Sequence, residues 1–187
     1  MLEPVKSFPL DKLATGARHA EAARLRTLAP ATRLAFRSRE AGIGPAGDAY
    51  GVALPVEPCR FNIRDNRLAL WLGPDEWLLI APNAEPAPIF ATIEAALAGI
   101  PHALVDVSSR SIGIEIAGEQ AAFVLNQGCP LDLHLQAFPV GMCTRTLFAK
   151  TEIVLVRHAP DVFHIDVWRS FAAYLWTYLD EARRELA

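Results

Sequence analysis

The stretch Trp71-Leu-Gly-Pro-Asp-Glu-Trp-Leu-Leu-Ile80 constrains the fold more than any other. Leu68, Leu70 and Leu72 recur at every second position, the pattern of a strand with one buried face. Gly73-Pro74-Asp75 is a turn: Gly admits unusual backbone angles, Pro fixes φ, and Asp bonds the local backbone. Trp77-Leu-Leu-Ile80 is a continuous apolar run, as in a strand covered on both faces. A chain with this pair must build a sheet around it, and the segment holds no nucleophile, phosphate loop or metal-ligand set.

The flanking segments extend the sheet. Thr32 to Arg39 reads as a half-buried strand, with Leu34 and Phe36 inward. Arg33, Arg37 and Arg39 on one face could bind an anion or an acidic partner, and are read first as a solvated face, as on an edge guarded by charge. Residues 14–28, rich in Ala, Arg and Glu, read as helical, and the arm 1–30 either stays mobile or settles on a partner. Pro45 fits the first turn of a short helix ending near Gly51. A helix is predicted from Pro88 to Ala98, stopped by Gly99, and strands over Ala103–Val107 and Ile112–Ile116. Gly118 opens a short helix to Gln127, which Gly128-Cys129-Pro130 ends.

Three strands follow: Thr144–Phe148, Ile153–His158 and Val162–Trp168, with turns at Lys150–Glu152 and Ala159–Asp161. Ser170 is placed as the cap of a final helix to Arg184. Its apolar stripe is Phe171, Tyr174, Leu175, Tyr178, Leu179 and Ala182, and Asp180 and Arg184 lie one turn apart. This irregular order of hairpins and helices predicts α+β: an antiparallel or mixed β-sheet with packed helices, as one domain over residues 31–187.

Composition narrows the function classes. Hydrophobic residues make up 52% of 187, enough for a core with some excess to cover a partner surface. The net charge of −3 and the lack of a basic stripe speak against nucleic acid. Apolar runs fall far short of the ~20 residues that span a bilayer. The start of the chain lacks the layout of a signal peptide, so a cytoplasmic location is expected. Three cysteines, Cys59, Cys129 and Cys143, with no CxxC pair, argue for free thiols.

The candidate chemistry is sparse. Gly-Ile-Gly-Pro-Ala-Gly at 42–47 lacks the elements of a phosphate loop. His158 and His164 flank one turn. With Pro160 and Asp161 as the turn residues, His158 opposes Phe163 and Arg157 opposes His164, so the imidazoles point to opposite faces. Asp106-Val-Ser-Ser-Arg110 is a polar knot between apolar strands. It is read as a structural turn or a subunit contact, because no nucleophile and base stand at a working spacing. No catalytic, cofactor-binding or metal-ligating residue is assigned.

Leu70-Trp-Leu-Gly-Pro-Asp-Glu-Trp-Leu-Leu79, Val105-Asp-Val-Ser-Ser-Arg110 and Asp166-Val-Trp-Arg-Ser170 are similar to segments of the gamma subunit of heterotetrameric sarcosine oxidase. The likeness runs over residues 30–184. That subunit in turn resembles the folate-binding region of the glycine-cleavage T protein, an aminomethyltransferase, which implies a fold of that kind. The place of that protein's Gly-Tyr-Thr-Gly-Glu stretch is here Leu147-Phe-Ala-Lys-Thr-Glu-Ile153.

The resemblance implies a structural, non-catalytic gamma subunit of an oxidoreductase, partnered by alpha, beta and delta subunits. It implies a complex that carries FAD, FMN, NAD and tetrahydrofolate, with zinc on a small subunit and none of these groups bound by this chain. The complex would oxidatively demethylate sarcosine to glycine, with formation of hydrogen peroxide and methylenetetrahydrofolate. The alternative is a free-standing tetrahydrofolate-binding, aminomethyltransferase-like protein. Trp77, Arg110 and Trp168 are the expected partner contacts, since aromatic and arginine side chains dominate binding energy.

Overall fold

Residues 8–187 are described by the structure, a computed structural model. A short helix α1 (Asp11–Thr15), a 3-10 turn (Glu21–Ala23) and a strand β1 (Arg24–Thr27) come first. Then follow β2 (Ala31–Ser38), α2 (Glu40–Tyr50), β3 (Phe61–Arg64), β4 (Arg67–Gly73), β5 (Glu76–Pro82), α3 (Pro86–Ala96) and β6 (His102–Asp106). The remainder forms β7 (Ser111–Ala117), α4 (Ala121–Asn126), β8 (Cys143–Phe148), β9 (Thr151–Ala159), β10 (Val162–Trp168) and α5 (Ala172–Ala182).

The strands make two five-stranded sheets, in the orders β3-β4-β5-β2-β6 and β1-β7-β10-β9-β8. Every pairing is antiparallel, so the architecture is α+β with helices packed on antiparallel sheets. The predicted hairpin lies inside the first sheet, with Trp71 opposite Trp77 and Leu70 opposite Leu78. Both its faces are covered. Ala69, Trp77, Leu79 and Ala81 pack with Ile89 and Ile93 of α3. Leu68, Leu70, Leu78 and Ile80 pack with Cys143, Val154 and Val156 of the second sheet. Each buried Leu, Ile or Val among them contributes about 1.5–3 kcal/mol on leaving water, which makes this hairpin the shared wall of two cores. The outer face of the second sheet is covered by α4 and α5 through Val124, Leu125, Leu175, Trp176 and Leu179.

Several expectations are corrected. Arg24–Thr27 is a strand rather than helix: its register with Ala117 to Ile114 of β7 outweighs the local helix propensity. The first seven residues of the expected arm lie outside the described residues. Leu10 and Ala23 are buried in the same core as α5. Strand β3 carries no clear apolar alternation and joins the sheet through β4 alone.

Pro45 sits in the interior of α2, which begins at Glu40. The turn before β9 is Ala149–Lys150, with Thr151 already paired to Phe148. Phe171, not Ser170, occupies the cap of α5, without a side-chain bond. The buried stripe of that helix is Ala172, Leu175, Trp176 and Leu179, leaving Phe171 and Tyr174 exposed. Asp180 pairs with Arg183 and Arg18, and Arg184 pairs with Glu181.

Candidate interaction surface and the polar seam behind it

Arg37 and Arg39 are exposed as expected, but β2 is not an edge strand and Arg33 is buried. Strand β2 lies between β5 and β6, and Arg33 reaches the second sheet. Arg33, with its side chain 4% exposed, donates from Nε to Asp166 Oδ2 on β10 at 2.7 Å and from Nη1 to Ala31 O. Burial alone would raise the Asp166 carboxyl, but the neighbouring His164 imidazole and the Arg33 guanidinium hold it below the usual carboxylate range. Nearer the hairpin turn, Glu76 accepts from Arg37 of β2 and from Arg145 of β8, each at 2.6 Å. One carboxylate therefore ties both sheets together. The signal for this seam was Asp166 itself, a lone carboxylate in the apolar run of β10.

His158 and His164 do share a face. A bulge between Val162 and Phe163 pairs Phe163 with Arg157 and His164 with Val156, so His158 is the extra residue. The rings stack with centroids 6.0 Å apart. Burial, and then the charge of His164, lower the His158 pKa to about 4. Among the described residues no three His, Cys, Asp or Glu side chains converge as a metal set.

The Asp106–Arg110 knot is a closed turn. Asp106 Oδ1 accepts from the backbone N and the hydroxyl of Ser108, at 2.9 and 2.5 Å. Ser108 Oγ accepts from Arg33 N, and Arg169 N donates to Arg110 O at 2.7 Å. Its polar atoms serve the junction of β6, β2 and the end of β10. Arg110 does not pair with Asp106. Its guanidinium lies over the Trp168 ring, 5.8 Å from the centroid. No carboxylate stands within salt-bridge range of it among the described residues.

The structure thus brings two of the three expected contact residues together on the surface, with Trp168 44% exposed. Leu72, Arg145 and Glu152 are their neighbours around a small recess. Trp77 is elsewhere. It is 1% exposed, donates from Nε1 to Pro55 O at 2.8 Å and packs on Phe36, so in this chain it is a core residue. The rule that placed it outside counts aromatic type without burial. Among the described residues no helix is long and apolar enough to cross a membrane.

Comparison with known proteins agrees with this architecture. The model of the sarcosine oxidase, gamma subunit family matches residues 40–185. The sarcosine oxidase subunit gamma of Corynebacterium sp. (strain P-1) is 32% identical over 98% of this chain and 92% of its own length. That of an Arthrobacter species is 32% identical over 87% of this chain and 81% of its own.

A chain of the heterotetrameric sarcosine oxidase from Corynebacterium sp. U-96, solved in complex with pyrrole 2-carboxylate, superposes with a TM-score of 0.88. It is 30% identical, and the match covers 97% of this chain and 96% of that one. The glycine-cleavage aminomethyltransferase T of Bartonella henselae shares the fold at a TM-score of 0.61 and 19% identity, over 92% of this chain and 49% of its own. The fold is shared with these solved structures, and the chain belongs to the sarcosine oxidase, gamma subunit family.

Proposed function

We propose that this chain is the gamma subunit of a cytoplasmic heterotetrameric sarcosine oxidase, a structural component with no reacting group of its own. The observation that carries the reading is the match to a chain of the Corynebacterium heterotetramer over nearly the full length of both. The surface supports it: Arg110 and Trp168 form an exposed cation–aromatic pair whose charge has no carboxylate partner among the described residues. Such a pair suits a partner's acidic or carbonyl group. Alpha, beta and delta subunits are the partners in this reading, and FAD, FMN, NAD and tetrahydrofolate reside on them. The complex then demethylates sarcosine oxidatively to glycine.

The test is co-expression with candidate flavin subunits, purification by a tag on this chain alone, and an absorbance spectrum. A yellow complex with flavin bands is expected. A colourless single chain overturns the reading.

A further inference from the structure

A cleft of about 610 Å³ opens beside the polar seam, between the start of β2, the β5–α3 connection and the β6–β7 turn. Its floor holds a charged group with spare donors. The Arg33 guanidinium has five N–H bonds. One goes to Asp166 and one to Ala31 O, and the other three have no acceptor among the described residues. The side chain is 4% exposed and anchored at Nε, so the guanidinium is held in one place while its unpaired edge keeps some access to the cleft. Gly113 makes the room: a Cβ there would stand 3.3 Å from Arg33 Nη2 and 3.1 Å from Leu28. Arg169, Ser109 and Ser111 line the same cleft, and none of their side chains has a hydrogen-bond partner among the described residues.

We infer that this cleft is a binding site for a small monocarboxylate with an apolar body, held by the free edge of Arg33 and by Arg169. A planar carboxylate matches the guanidinium edge through paired charge-assisted bonds. Leu28, Pro30 and Ile112 line the cleft and suit an apolar group. Glu85 at the rim and Asp166 behind Arg33 weigh against a second negative charge, so a phosphate dianion is disfavoured. The inference is independent of the subunit reading, because every contact comes from this chain.

The probe is para-fluorobenzoate, titrated into the full chain and followed by fluorine NMR, with inorganic phosphate as competitor. Saturable binding is expected. Arg169→Gln, at the exposed rim, weakens it about tenfold, as expected for loss of a charge-assisted bond. Arg33→Lys keeps the charge opposite Asp166 but loses the planar fork, and also weakens binding about tenfold. Phosphate at equal concentration leaves the probe bound. Absence of saturation with the wild-type chain, unchanged affinity in Arg169→Gln and Arg33→Lys, or displacement by phosphate each overturns the assignment.

Discussion

Arg33 of β2 and Asp166 of β10 meet at 2.7 Å across the two sheets, from positions 133 residues apart in sequence. Both side chains are almost fully withdrawn from water. A pair of this kind adds little over an apolar substitute, yet losing one member leaves a bare buried charge. Arg33→Ala is expected to cost about 3–5 kcal/mol in urea unfolding. The double variant Arg33→Met, Asp166→Leu should recover most of that loss. A double variant as unstable as the single one would assign the loss to packing instead.

The same pair sets an acid limit. The folded-state pKa of Asp166 lies below its ordinary value, so the stability it contributes is complete above about pH 4, the unfolded carboxylate range. It is lost as pH falls through the lower folded value. Thermal melts of wild type and the double variant should lie close together at neutral pH and separate in strong acid, where only the wild type loses this contribution.

His158 acts at milder pH. Its folded pKa is lowered to about 4, against about 6.5 unfolded, so the unfolded chain binds more protons between the two. Stability from the neutral imidazole is complete above pH 6.5 and falls as pH drops toward 4. His158→Gln should flatten the melting temperature between pH 7.5 and pH 5. An equally steep slope in the variant would place the sensitivity elsewhere.

The central hairpin and most of the strands were legible because apolar alternation is a local signal. The seam was not. Arg33 reads as solvent-facing until Asp166 is placed opposite, and no local pattern spans that separation. The two histidines fail differently: the turn between them was legible, but a single bulged residue inverts every face assignment before it. At β1 the composition favoured helix, and pairing with Ile116 and Ala117 decided otherwise. Of the expected contact residues, Trp168 ends a strand, where exposure is common, while Trp77 starts one in mid-sheet. Sequence spacing does not separate those two settings.

The surface pair and the buried tryptophan should behave oppositely. Arg110→Ala and Trp168→Ala are expected to weaken assembly with a flavoprotein partner by about 2 kcal/mol each and to leave the melt of the isolated chain nearly unchanged. Trp77→Ala is expected to lower stability by about 3–5 kcal/mol, since it empties a core site. Analytical ultracentrifugation of the mixture and melts of the single chain separate the two effects.

Gly118 has a φ of +135°, and a Cβ there would stand 2.4 Å from the carbonyl oxygen of Ala22. Gly118→Ala should therefore push the Glu21–Ala23 turn off the second sheet, at about 1–3 kcal/mol for the backbone strain alone. Limited proteolysis should then cut near Ala22. A resistant variant would show that the turn can shift without release.

The thiols are graded by burial. Burial, and then the nearby Cys59 thiol, push Cys143 up to about 12, and burial raises Cys129 as well. Cys59 is the more accessible of the three. Ellman's reagent at pH 8 should modify Cys59 first, with the other two reacting on unfolding. Early reaction of Cys143 would contradict its place between the sheets.

The division of strands between the sheets bears on synthesis. The first sheet is drawn from one uninterrupted stretch, β2 to β6, whereas the second takes β1 from before that stretch and β7 to β10 from after it. As the chain leaves the ribosome, the first sheet can close as soon as Asp106 emerges. During that time β1 has no strand to join, because its partner residues, Ile114 to Ala117, have not yet been made. A nascent chain stalled before that point exposes an unpaired strand and the apolar face of a finished sheet, the features that chaperones hold and proteases cut. The docking of β1 thus separates complete chains from truncated ones.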